Sequence, residues 1–270
     1  MSVISQLLGV GRASAYRPPV ARPRYYRRRD DRVVAAQIQA VIGTRGSYGH
    51  RRVHALVNRQ FGTRYNRKRI RRVMALWGWT LPRRSYRSTR SHHGLIRRPL
   101  PNERWCSDAL EIACWNGERV LVAFALDCHD RECLAVRGEA RELVASDIQA
   151  LMRAAMAARF GSQRPARPVQ WLSDNGSIYT AFDTIVVAEQ LGLEPITTPA
   201  RSPESNGMSE AFVNTLRRDY LDGADLSSAA AVLAQLADWI EDYNNTAPHS
   251  ALNYRSPRQY REELALRVVP

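Results

Sequence analysis

The chain has 270 residues, a net charge of +14 and no apolar run of membrane-spanning length, so about two domains and a polyanionic partner are expected. Residues 1–104 hold 25 Lys and Arg against 3 Asp and Glu, a net of +22, whereas residues 105–270 hold 15 against 23, a net of −8. A basic front half is the footprint of a nucleic acid, with membrane lipid the weaker alternative, and an acidic back half is the reverse of what simple DNA coating needs.

The opening M-S-V-I-S-Q-L-L-G-V lacks the charged start and cleavage site of a signal peptide, so a cytoplasmic, nucleoid-associated location is expected. Cys106, Cys114, Cys128 and Cys133 are then expected to be reduced. Seven, thirteen and four residues separate them, unlike the paired short spacings of zinc ribbons and fingers, and they read as core side chains.

Residues 1–29, rich in Pro and Arg, read as a basic N-terminal arm. Residues 30–78 read as a small all-α helix-turn-helix domain. Val34, Ile38, Val41 and Ile42 make a first helical stripe ended by Gly43, and Val53, Leu56 and Val57 a second. The third helix is capped by Asn66, stopped by Gly78 and buries Ile70, Val73, Met74 and Trp77. It would leave Arg67, Lys68, Arg71 and Arg72 outward, a basic face without one acid, although a small bundle with a solvated face would show the same pattern. His50 and His54 stand at i, i+4 but have no further metal ligands nearby in sequence. Residues 79–104, aperiodic and rich in Ser and Arg, read as a basic linker that can itself lie along DNA.

A second domain, residues 105–222, opens with three strand-like runs, R-W-C-S-D-A-L-E-I-A, G-E-R-V-L-V-A-F-A-L-D and R-E-C-L-A-V-R. Their short turns imply antiparallel neighbours. A clear helix follows (A-S-D-I-Q-A-L-M-R-A-A-M-A-A-R-F), then the buried strand V-Q-W-L-S ending at D-N-G, a helix closed by Gly192, and the fifth strand E-P-I-T-T. This is an α/β domain with a mixed five-stranded sheet and flanking helices. Residues 223–270 hold a long helix and an irregular tail that complete this core.

With period 2, Cys106, Asp108, Leu110 and Ile112 share one strand face, and a carboxylate among apolar neighbours is expensive unless something pairs with it. A buried Asp satisfied by an Arg or a backbone amide is the plain alternative. Asp174 ends the fourth strand, where ligand-binding groups collect in α/β sheets, though D-N-G is also ordinary turn chemistry. Residues 201–220 run from a Ser-, Pro- and Gly-containing loop into a helix with Met208, Phe212, Leu216 and Tyr220 at i+4 steps. Glu210, Asn214 and Arg217 lie along another face of that helix, a row that any solvated helix can show. If that helix crosses the sheet, Asp108, Asp174 and Glu210 converge. Such hard oxygen ligands suit Mg²⁺ or Mn²⁺, and two ions about 4 Å apart can activate an attacking oxygen and stabilise a leaving one in phosphodiester chemistry.

From about residue 44 to 260 the chain resembles the second-frame transposases of bacterial insertion sequences, in the retroviral-integrase-like DDE family. W-C-S-D with Asp108, S-D-N-G with Asp174, and S-P-E-S-N-G-x-x-E with Glu210 carry the likeness. The 35 residues between Asp174 and Glu210, a basic residue seven beyond the Glu (Arg217), the tail P-H-S-A-L-N-Y-R-S-P-R-Q-Y and the segment S-Y-G-H-R-R-V-H-A-L add to it.

The resemblance implies an RNase H-like fold for residues 105–220, a catalytic and metal-binding triad of Asp108, Asp174 and Glu210, and two Mg²⁺ or Mn²⁺ ions. It implies a DNA partner in terminal inverted repeats and target, strand cleavage with 3′-hydroxyl transfer, and a homo-oligomer on DNA. Arg51, Arg52, Arg67, Lys68, Arg71, Arg72, Asn214 and Arg217 are the expected DNA contacts. No leucine-heptad segment precedes the basic arm, so fusion to or association with an upstream-frame protein is expected. A non-catalytic DNA-binding regulator of transposition and a host-adopted nuclease are the alternatives.

Overall fold

Val34, Ile38 and Val41 are buried on one side of α1 (Asp31–Ile42), as their helical spacing predicts. The structure is a computed structural model that describes residues 26–82, 98–197 and 207–268. Most of the N-terminal arm, most of the linker and the loop before Gly207 lie outside the described residues. α2 (His50–Gln60) and α3 (Arg67–Leu76) close a three-helix core around Val53, Leu56, Val57, Ile70, Val73 and Met74. The Asn66 side chain accepts from the Lys68 amide at 2.8 Å and caps α3, and Gly78, at φ +73°, follows the helix end.

Arg72 corrects the expectation of an outward basic face. It is buried, and its guanidinium grips Asp31, with Nη1 2.7 Å from Oδ2. Its place beside Val73 turns it toward the first turn of α1, where Asp31 offers one of the few carboxylates in this half of the chain. The contact lowers the carboxyl pKa of Asp31.

The second body is built on β1 (Arg104–Ala113), β2 (Arg119–Asp127) and β3 (Cys133–Glu139), an antiparallel meander. After α4 (Ala145–Phe160), strand β4 (Val169–Ser173) returns parallel to β1. A short α5 (Ser177–Thr180) that periodicity did not reveal precedes α6 (Phe182–Gln190), and β5 (Leu193–Thr197) pairs parallel to β4. The order β3-β2-β1-β4-β5 is the expected mixed five-stranded sheet.

Period 2 divides β1 between two apolar cores. Trp105 joins Ala123, Trp171, Ile148, Leu151 and Met152 under α4, while Cys106, Leu110 and Ile112 join Phe124, Phe212 and Leu236 on the opposite face. That second face is covered by α7 (Gly207–Leu216) and α8 (Ala229–Asn245). Gly138 on β3 lets α8 lie close, since a Cβ there would stand 2.6 Å from Leu233. All four cysteines are buried free thiols.

The tail is not irregular. A 3₁₀ turn (Ser250–Leu252) leads into α9 (Pro257–Val268). Its stripe is weak because α9 is held by charge: Arg258 and Arg261 both reach Glu132, at 3.2 and 2.7 Å. Among the described residues no helix is long and apolar enough to cross a membrane.

Candidate active site

Parallel pairing of β1 with β4 aligns Cys106 with Leu172. The pairing ends there, with Asp108 two residues further along β1 and Asp174 two residues beyond Leu172, just past the end of β4. Tyr179 marks the same neighbourhood from beneath. Its buried hydroxyl is 3.1 Å from Ser107 Oγ, and its pKa is raised by burial first and then by the charges of both Asp108 and Asp174. Backbone amides fix both carboxylates: Ala109 N donates to Asp108 Oδ1 at 2.8 Å and Gly176 N to Asp174 Oδ1 at 3.0 Å. Asp108 is half-buried and Asp174 exposed.

Helix α7 lies over the face of the sheet that carries Asp108. Buried Ser209 stands against Cys106, and the Phe212 ring lies 4.6 Å from Phe124, the residue paired with Asp108 across β1 and β2. Glu210 falls between these contacts on the open side of α7, and Glu210, Asn214 and Arg217 are all exposed. The predicted row on one face therefore exists, and at Arg217 the helix widens into a π turn (Arg217–Leu221). Among the described residues no three His, Cys, Asp or Glu side chains stand close enough to hold a metal together. Asp108 and Asp174 are two of the three residues of the expected triad, and Glu210, the third, lies on α7.

A chain of rings backs α7. Phe212 meets Tyr243 edge-on at 4.9 Å, and Tyr243 meets His249 at 4.6 Å. His249 belongs to the P-H-S segment and is held nonprotonated, with its pKa lowered to about 3 by burial and by Arg131 and Arg52.

Two families account for most of this chain. Models described as "Integrase core domain" match residues 98–203 and 191–257, and one described as "HTH-like domain" matches residues 28–86. The chain is 43% identical over 245 residues to the Escherichia coli transposase InsD for insertion element IS2A/D/F/H/I/K, covering 88% of this chain and 81% of that protein. The InsD for insertion element IS2-9, from strain K12, is also 43% identical, over 88% of this chain and 80% of that protein. The chain belongs to the insertion-sequence transposases of the DDE integrase-like family. Its fold is similar to that of a chain in the simian T-cell lymphotropic virus intasome in complex with PP2A regulatory subunit B56 gamma. The TM-score is 0.50 at 16% identity, with 84% of this chain and 73% of that chain covered.

This transposase is a polynucleotidyl transferase that binds DNA through an integrase core and a helix-turn-helix-like domain. Its predicted basic residues divide into two groups. Arg51, Arg67, Lys68 and Arg71 are exposed, and Arg51, Arg67 and Arg71 converge on His50, whose pKa is lowered by burial first and then by those three cations. Arg52, like Arg72, is turned to internal use: it pairs with Asp219 at 2.6 Å, in the π turn of the catalytic body. Sequence reasoning passed over Tyr179, Ser107 and His249. Tyr179 lies five residues beyond Asp174 in the helix that periodicity did not reveal. His249 was legible only as part of a family tail, because its contacts come from α8.

Proposed function

We propose that Asp108, Asp174 and Glu210 together hold Mg²⁺ or Mn²⁺, as two ions, and that this site cleaves DNA at the element's ends and transfers the freed 3′-hydroxyl to target DNA. The equal offset of Asp108 and Asp174 from the paired Cys106 and Leu172, with both charges felt at Tyr179, supports this reading most directly. Both are hard carboxylate donors that accept from backbone amides and are reached by solvent, a donor set that fits these ions and not zinc. When bound, such ions polarise the phosphodiester and stabilise charge on the attacking and leaving oxygens. Glu210 completes the donor set from α7 when DNA and metal are engaged.

The protein's own groups then orient the DNA. Arg217, seven residues and about 10 Å along the helix from Glu210, reaches the phosphates flanking the scissile bond, with Asn214 between them. Arg51, Arg67, Lys68 and Arg71 grip the terminal inverted repeat as the basic face of the helix-turn-helix domain, and the active assembly is an oligomer of this chain on DNA. The domain limits follow the sequence: an arm over 1–29, the helix-turn-helix over 30–78, a linker over 79–104, and the core with its completing tail over 105–270.

Asp108→Asn is expected to abolish Mg²⁺-dependent nicking of an oligonucleotide carrying the element's end while leaving its binding intact. Wild-type rates from that variant would sink the site assignment.

A further inference from the structure

Three arginines of the helix-turn-helix body, Arg45, Arg52 and Arg59, point away from its DNA face and into the catalytic body. Arg45 makes a two-pronged contact with Asp242 on α8, at 2.7 and 2.8 Å. Arg52 and Ser47 both reach Asp219, each at 2.6 Å, and Arg59 donates to the Tyr254 carbonyl at 2.8 Å. Tyr48, buried between the first two, offers its ring to both guanidiniums, at 5.6 and 4.7 Å.

The receiving groups are built for these partners. The Asp219 side chain is 2% exposed and also accepts from Arg218 at 2.7 Å. Burial would raise its pKa, but the hydrogen bonds of Arg218 and Ser47 and the charge of Arg52 outweigh that and hold it below the usual range. Asp242 also accepts from the Tyr220 hydroxyl at 2.9 Å. Asp219 and Tyr220 both lie in the π turn that continues α7, about 13 Å beyond Glu210 by helical rise.

The two bodies keep separate apolar cores, and the contacts that join them here are charged and directional. A buried ion pair is a poor way to gain stability over an apolar contact, but it fixes a register well. We propose that Asp219 and Asp242 are positioning residues. They lock the helix-turn-helix body to the extension of the Glu210 helix, so that a DNA end gripped by Arg51, Arg67 and Arg71 is presented at a fixed distance from the candidate active site. The idea rests on the reading of Glu210 as part of that site.

The test uses the full chain and an end-containing duplex. Arg45→Asp, Asp242→Arg and their combination are compared for duplex affinity and for single-turnover cleavage at saturating DNA, with Glu210→Gln alongside. Each single reversal is expected to leave affinity unchanged and to slow cleavage at saturation at least about tenfold, the scale of a misplaced substrate. The double reversal is expected to restore most of the rate, which a simple loss of folding would not do. Energy transfer between dyes on the two bodies should broaden in Asp242→Arg and narrow again in the double variant. Single variants that cleave at the wild-type rate or faster, or a double variant that recovers neither rate nor distance, overturn the proposal. Cleavage by Glu210→Gln would instead remove the site reading, and the dye distances would still report on the lock.

Discussion

Two acidic clusters lie only three residues apart along β1, and burial separates what they do. Near the start of β1, Asp127 and Asp130 are fully buried, with Arg159 2.8 Å from Asp130 and 3.7 Å from Asp127, and Glu132 3.3 Å from the same guanidinium. The Asn102 and His129 amides, each at 2.7 Å, and the Trp105 indole complete the shell of Asp127. Asp174, just past the end of β4, is exposed and Asp108 on β1 is half-buried, and each accepts a hydrogen bond from a backbone amide. Carboxylates sealed with arginine hold chain segments together. Carboxylates that solvent can reach stay accessible to a ligand.

Breaking the sealed cluster should have the largest effect on stability. Arg159→Met would strand Asp127 and Asp130 around a side chain that is 4% exposed, while Glu132 keeps Arg258 and Arg261, at a cost of about 3–5 kcal/mol in denaturant unfolding. Asp174→Asn should change stability by less than about 1 kcal/mol while cleavage disappears. Equal stability losses from the two variants would erase the distinction between the clusters.

Titration separates buried groups by sign. His249 has its pKa lowered to about 3, so the unfolded chain takes up a proton that the folded chain refuses. Its contribution is full above about pH 6.5 and falls as pH drops toward 3, by on the order of a few kcal/mol. Burial first, then Asp130, raises Asp127 to about 6 against the pull of Arg159, so folding favours its protonated form. That contribution grows as pH falls from 6 toward 4, opposing His249. His249→Asn should therefore flatten or invert the loss of stability between pH 6 and 4. An unchanged slope would show that His249 is not the group being charged.

Much of the acidic body was legible in the sequence because its signals are local. Period 2 put Cys106, Asp108, Leu110 and Ile112 on one face, D-N-G marked the strand end at Asp174, and the i+4 stripe of α7 left Glu210, Asn214 and Arg217 outward. What depended on distant partners was not legible. Arg52 and Arg72 look like Arg51 and Arg71 in a basic run, and only Asp219 and Asp31, 167 and 41 residues away, draw them inward. α9 escaped for the same reason, since its anchors are Glu132 and Glu241 and not an apolar stripe. Periodicity finds which residues face a core, but it carries no information on which charges meet.

The finest test of the open cluster changes one hydrogen. Gly176 has an ordinary φ of −59°, so alanine there brings no backbone strain. Its Cβ, however, would stand 3.0 Å from Asp174 Oδ1 and 3.6 Å from the Tyr179 ring. The Tyr179 side chain is buried and its hydroxyl meets Ser107 Oγ, so the carboxylate must move instead. Gly176→Ala is expected to cost less than about 1 kcal/mol in stability and to slow cleavage about tenfold. Gly117→Ala makes the opposite control: φ is +87° and nothing lies within 4 Å, so about 1 kcal/mol of strain should appear with no change in cleavage. If the two variants lost cleavage in proportion to stability, carboxylate position at the end of β4 would not be what limits the reaction.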